Sequence, residues 1–206
     1  MPPTSRSVAV ILFEGFELLD AVGPIELFSR LPHDFAVSLL GPDAGPVRSR
    51  QGAEVVADTS YDDAVTPDIA LVPGGMGTRT LVDDAPFLEW LARWARGAEF
   101  VTSVCTGSAL LAASGLLEGY RATSNKRAFD WASHHGENVE WVRQARWVVD
   151  RNRWTSSGVA AGMDMTHALI AALVGRDAAR EAAAGIEYEP HTDAERDPFA
   201  RESETS

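Results

Sequence analysis

Cys105 is the only cysteine in the chain, and it lies in FVTSVCTGSALL, residues 100–111, where strand-forming residues give way to helix-forming ones. A cysteine at the end of a strand and the start of a helix meets unpaired backbone N–H groups and the positive end of the helix dipole, and both favour a thiolate. The chemistry to expect there is nucleophilic attack on an electrophilic carbon. The competing reading is a small buried hydrophobe, a frequent use of free cysteine. The Cys-Thr-Gly turn favours the nucleophile, because it has the form of the sharp strand-to-helix elbow that exposes nucleophiles in α/β enzymes. The match to G-x-S-x-G is partial: Ser103 holds the first glycine place and Gly107 the second.

Three further features could complete such a site. Thr106 supplies the first backbone N–H after the nucleophile, which in an elbow points at developing negative charge. Gly74 and Gly75, in VPGGMG after another strand, bring N–H groups to the same sheet edge and are candidates for the other half of an oxyanion hole. Asp20, the odd residue of FELLDAVGPIELF, is a carboxylate within an apolar face, and a partly buried carboxyl with a raised pKa can transfer a proton. Glu14, Glu17 and Glu26 compete for that role, and spacing alone does not separate the four. None of His33, His134, His135, His167 and His191 is placed to pair with Cys105, and none has metal-ligand spacing beside other ligands. The expected site therefore uses no metal and no cofactor.

These residues need a scaffold that brings several strand ends together. Ser7–Phe13, Phe35–Gly41, Asp68–Pro73 and Phe100–Val104 are apolar runs of the kind buried on both faces of a parallel sheet. Helical patterns lie between and after them: Leu18–Leu31 with an irregular first turn at Gly23-Pro24, Pro86–Arg96, Thr106–Leu117 closed near Gly119, and Arg127–His135. Two more, Met163–Leu173 and Asp177–Ile186, end the core. Residues 47–58 predict a hairpin at a sheet edge, and residues 139–156 a second hairpin turning at Asp150-Arg151-Asn152. Strands alternating with helices predict one α/β domain over residues 1–189, with ligands gathering outside the carboxyl ends of the strands. Residues 190–206 form a polar tail whose only large apolar residue is Phe199, so the tail is expected to be disordered or to dock through that ring.

Composition removes several functional classes. With 30 acidic residues against 18 Lys and Arg, the net charge of -12 repels nucleic acid and anionic membrane surfaces alike. No apolar run approaches the ~20 residues of a membrane span, and the N-terminus lacks a signal-peptide cleavage pattern, so a cytoplasmic location is expected.

Together, FELLDAVGPIELF, VPGG, SVCTGSALLAASGLL and SSGVAAGMDM resemble the ThiJ/PfpI superfamily, and within it the isocyanide hydratase branch, over roughly Val8 to Tyr188. The resemblance implies a flavodoxin-like three-layer sandwich with a mainly parallel sheet, of the class I glutamine amidotransferase-like type, assembled as a homodimer. It implies Cys105 as nucleophile, Asp20 as the carboxylate that hydrogen-bonds the sulfur, Thr106 as the residue after the nucleophile, and Gly75, with Gly74 beside it, as backbone donor. Asn125 stands where other branches carry a histidine. The implied activity is a lyase reaction: hydration of isocyanides to N-substituted formamides through a covalent thioimidate. The alternatives are a glyoxalase or deglycase of the same architecture, a thiol stress sensor, and a ligand-sensing module.

Overall fold

The computed structural model describes residues 5–200. The first strand, β1 (Arg6–Ile11), leads into α1 (Leu18–Ser29) and then β2 (Phe35–Gly41). A hairpin of β3 (Gly45–Arg48) and β4 (Glu54–Ala57) follows, then the short β5 (Thr59–Ser60) and the wholly buried β6 (Ile69–Val72). Next come α2 (Thr78–Leu81), α3 (Ala85–Arg96), β7 (Phe100–Val104) and α4 (Gly107–Ala113). The chain continues through β8 (Arg121–Ala122), a 3-10 turn at Lys126–Ala128, α5 (Phe129–Ala132), β9 (Glu140–Trp141), β10 (Trp147–Asp150) and β11 (Arg153–Ser156). It closes with α6 (Ala161–Val174) and α7 (Arg176–Ala184).

Seven strands form the central sheet in the order β10-β11-β7-β6-β1-β2-β5, parallel throughout except for the β10–β11 hairpin. Helices α1, α6 and α7 pack together on one side, and α2, α3 and α4 on the other. This is the flavodoxin-like sandwich. The expected strands are present because Val8, Val10, Ile11, Ile69 and Val101 are all fully buried, as β-branched residues covered on both faces should be. The register pairs Val10 with Leu71, Val72 with Ser103 and Val104 with Ser156, so β1, β6, β7 and β11 end at one edge. The residues that follow those ends, including Gly74, Cys105 and Ser157, are delivered to a common place.

Several boundaries differ from the pattern-based reading, each for a local reason. α1 runs without a break through Gly23 and Pro24, so proline sits inside it rather than in an irregular first turn. Pro24 removes the N–H that would bond the Asp20 carbonyl one turn back. α4 ends at Ala113 instead of Leu117, in a series of turns with Gly115 and Gly119 at positive φ. The β3–β4 hairpin is a separate two-stranded sheet that braces the loop before α1: the Gly15 N–H donates to the Arg48 carbonyl at 2.9 Å, and the Arg50 N–H to the Phe16 carbonyl at 2.8 Å.

The tail docks, but not through Phe199, which is 72% exposed, whereas Asp197 is 2% exposed. The Asp197 N–H donates to the Gln144 carbonyl at 2.7 Å, and the Ala194 carbonyl accepts from the Arg146 N–H at 2.8 Å. Beneath it, the buried Arg146 guanidinium donates to Asp164 at 2.6 Å and lies 3.8 Å from Asp197. Asp164 also accepts from the Tyr188 hydroxyl and from the His191 N–H. A buried charge cluster, not an apolar anchor, therefore holds residues 190–200. The last six residues of the expected tail, 201–206, lie outside the described residues.

Candidate active site around Cys105

Cys105 lies between β7 and α4 with φ at 58°, a left-handed conformation that a residue with a side chain rarely adopts. The elbow is held from several sides. Its N–H points to the Ser156 and Ser157 carbonyls at 3.2 and 3.3 Å, and its own carbonyl accepts from the Ser108 and Ser124 hydroxyls at 3.1 and 3.0 Å. Gly107 is required just behind it, because a Cβ there would overlap the Val72 carbonyl. A strained backbone fixed on both sides presents the sulfur in one direction.

Asp20 takes the place beside that sulfur. It is the third residue of α1 and fully buried. Its Oδ2 accepts from the Gly74 N–H at 2.9 Å, while Oδ1 is buried without a hydrogen-bond partner among the described residues. Burial pushes the Asp20 carboxyl up to about 8; the Gly74 hydrogen bond opposes this, the Glu17 charge adds to it, and the Cys105 hydrogen bond opposes it weakly. Of the three rival acids, Glu17 faces Arg50 and Gln51 on the hairpin instead.

Burial also pushes the Cys105 thiol well above its ordinary value, and a neighbouring Asp20 carboxylate raises it further. The Thr106 N–H and the Asn125 side chain act in the opposite direction without overcoming burial. Burial therefore works against the thiolate expected from a helix start. The cysteine is only 7% exposed, and α4 is seven residues long, so its dipole is short.

The glycines and Thr106 act chiefly as spacers and braces. A Cβ on Gly74 would lie 2.6 Å from the Thr106 N, 2.7 Å from its Oγ1 and 2.9 Å from Asp20 Oδ2, so only glycine lets the three converge. The Gly75 N–H donates to Thr106 Oγ1 at 3.1 Å, and the Thr78 hydroxyl bonds the same oxygen at 3.2 Å. The Thr106 hydroxyl thus ties the VPGG loop to the elbow, a role its sequence position did not reveal.

Two participants were not assigned from sequence. Asn125 anchors its Oδ1 on the Arg127 and Ala128 N–H groups at 2.9 and 3.1 Å, which leaves its amide nitrogen for the sulfur. Gly158 lines the same space, since a Cβ there would overlap that amide nitrogen and lie 2.9 Å from Sγ. The sequence signals were the Asn at 125 in place of histidine and the SSG run, but neither says what it touches.

The DJ-1/PfpI family pattern matches residues 6–172. The chain belongs to the DJ-1/PfpI family. Among DJ-1/PfpI relatives, an isonitrile hydratase from Pseudomonas putida is 36% identical over 89% of this chain and 78% of its own length. A deglycase from Thermococcus kodakarensis is 27% identical over 73% of this chain and 88% of its own. In fold, the crystal structure of a ThiJ/PfpI family protein from Pseudomonas syringae matches with a TM-score of 0.79 at 32% identity, covering 91% of this chain and 76% of that one. No helix among the described residues is long and apolar enough to cross a membrane.

Proposed function

We propose that the protein hydrates isocyanides to N-substituted formamides, with Cys105 as nucleophile and Asp20 as proton-transfer group. The observation that carries this reading is the buried Asp20–Cys105 pair, in which burial raises the pKa of both groups. The isocyanide carbon must gain one hydrogen and one sulfur. A thiol beside a carboxylic acid supplies both without first creating a buried, unpaired anion.

In the first step the Asp20 carboxyl delivers its proton to the isocyanide carbon as the Cys105 sulfur bonds to the same carbon, and the thiol proton passes to Asp20. The product is a thioimidate, with Asp20 again protonated. Water then adds to that carbon: its oxygen bonds there, a proton reaches the nitrogen, and Asp20 shuttles it. Collapse of the adduct forms the formamide carbonyl, breaks the carbon–sulfur bond and returns a proton to the sulfur. Gly74 orients Asp20 throughout. The Thr106 N–H and the Asn125 amide stabilise the negative charge that develops on the sulfur as it leaves. The likeness to the Pseudomonas putida isonitrile hydratase supports this reading.

As part of the same reading, two copies of the chain assemble as a homodimer, covering exposed apolar groups such as Leu19 and Val56. The function is tested by incubating the protein with small aryl and alkyl isocyanides and, separately, with methylglyoxal. Formamide release exceeding lactate release supports hydration, and the reverse order supports the glyoxalase or deglycase alternative.

A further inference from the structure

Arg79 follows Thr78 on α2, and the Thr78 hydroxyl binds this helix to the elbow through its 3.2 Å hydrogen bond to Thr106. The Arg79 guanidinium carbon lies 3.2 Å from the ring centroid of Trp131 on α5. That short helix belongs to the segment opened by Asn125, which reaches the sulfur from the opposite side. The Arg79–Trp131 stack therefore joins the two segments that flank Cys105. Burial lowers the pKa of the Arg79 guanidinium, and negative charge on Cys105 opposes that shift.

Stacking on an aromatic face fixes the plane of a guanidinium and leaves its edge donors free. Among the described residues, the Arg79 guanidinium makes no ion pair and donates no hydrogen bond. By contrast, Arg50 is paired with Glu17 and Arg146 with Asp164. A half-buried cation with a fixed plane and uncommitted donors, on a helix hydrogen-bonded to the Cys105 elbow, is suited to bind a carboxylate in two-point fashion.

We propose that Arg79, held flat by Trp131, is the specificity residue of the Cys105 site and selects electrophiles that carry a carboxylate. The proposal rests on Cys105 being the nucleophile. In the isocyanide reading, it makes isocyano acids the preferred substrate class.

Because Cys105 is the only cysteine, alkylation followed by intact mass isolates its reactivity. Iodoacetate and iodoacetamide deliver the same carbon with and without a carboxylate. In Arg79→Gln the rate ratio of iodoacetate to iodoacetamide is expected to fall by about tenfold or more, the effect of losing a charged hydrogen bond. The iodoacetamide rate is expected to fall by less than the iodoacetate rate, because the neutral reagent makes no such bond. Arg79→Lys, which keeps the charge but loses the planar fork, restores part of the ratio. An unchanged ratio in Arg79→Gln, equal slowing by both reagents, or a Lys variant identical to the Gln variant would each overturn the proposal. Steady-state kinetics with isocyanoacetate and its methyl ester add a second readout: Arg79→Gln raises KM for the acid and leaves the ester unaffected. If neither isocyanide is turned over, the hydratase reading fails while the alkylation ratio still decides the role of Arg79.

Discussion

One oxygen of the Asp20 carboxyl is held by the Gly74 N–H at 2.9 Å, and the other is buried without a hydrogen-bond partner among the described residues. Burial raises the pKa of each group, which favours an acid beside a thiol over an ion pair. Catalysis that needs the acid form of Asp20 is lost as pH rises through about 8. The expected kcat/KM profile with a neutral isocyanide therefore has a descending limb near that pH. In Asp20→Asn, activity falls by about 100-fold or more, the usual scale of general acid–base catalysis, with the far-ultraviolet spectrum unchanged.

The same carboxyl makes stability depend on pH with a definite sign. Its folded pKa of about 8 lies above the ordinary carboxyl value of 3.8, so the folded state binds more protons between those values. Stability must then fall as pH rises across that window, and the Asp20 contribution is fully favourable only at its acid end. Asp20→Asn removes the slope. Chemical denaturation of wild type and variant at pH 5 and pH 8 should show the variant gaining relative stability at pH 8.

Gly158 offers a way to disturb the sulfur without disturbing the fold. Its Cβ would meet side-chain atoms of Asn125 and Cys105 and not backbone, and its φ is not in the left-handed region. Gly158→Ala is expected to lower kcat/KM by about tenfold or more, equivalent to about 1.4 kcal/mol of barrier, by displacing the Asn125 amide. Its melting temperature should stay within a few degrees of wild type, read by calorimetry.

The tail gives a contrast between charge and apolar docking. Arg146→Ala leaves Asp164 and Asp197 buried without their cation, which costs about 3–5 kcal/mol of stability. Phe199→Ser touches a ring that is 72% exposed, and surface changes of this kind stay within about 0.5 kcal/mol. Urea denaturation distinguishes the two, and a larger loss from Phe199→Ser would contradict the charge-cluster account.

The parallel strands and the elbow were legible in the sequence because continuous β-branched runs followed by glycine have few other uses. Asp20 was visible as a candidate but not separable from Glu17 by spacing, since the two differ only in which way the first turn of α1 faces. That orientation is set by the β3–β4 hairpin, which draws Glu17 toward Arg50. The contacts of Asn125 and Gly158 stayed hidden because each reaches the sulfur through tertiary packing of segments distant in sequence. The direction of the Cys105 pKa shift was hidden for a related reason. A strand-to-helix junction announces the dipole, while burial, which outweighs it here, is known only once the chain is folded.

The central claim is that Cys105 carries hydration of isocyanides. Its most direct test is formamide release from a neutral aryl isocyanide by wild type and by Cys105→Ala, with both proteins matched in fold by circular dichroism. Wild type should release formamide catalytically, and the variant should fall to the rate of buffer alone. Equal release by both proteins, or none by wild type, would contradict the account.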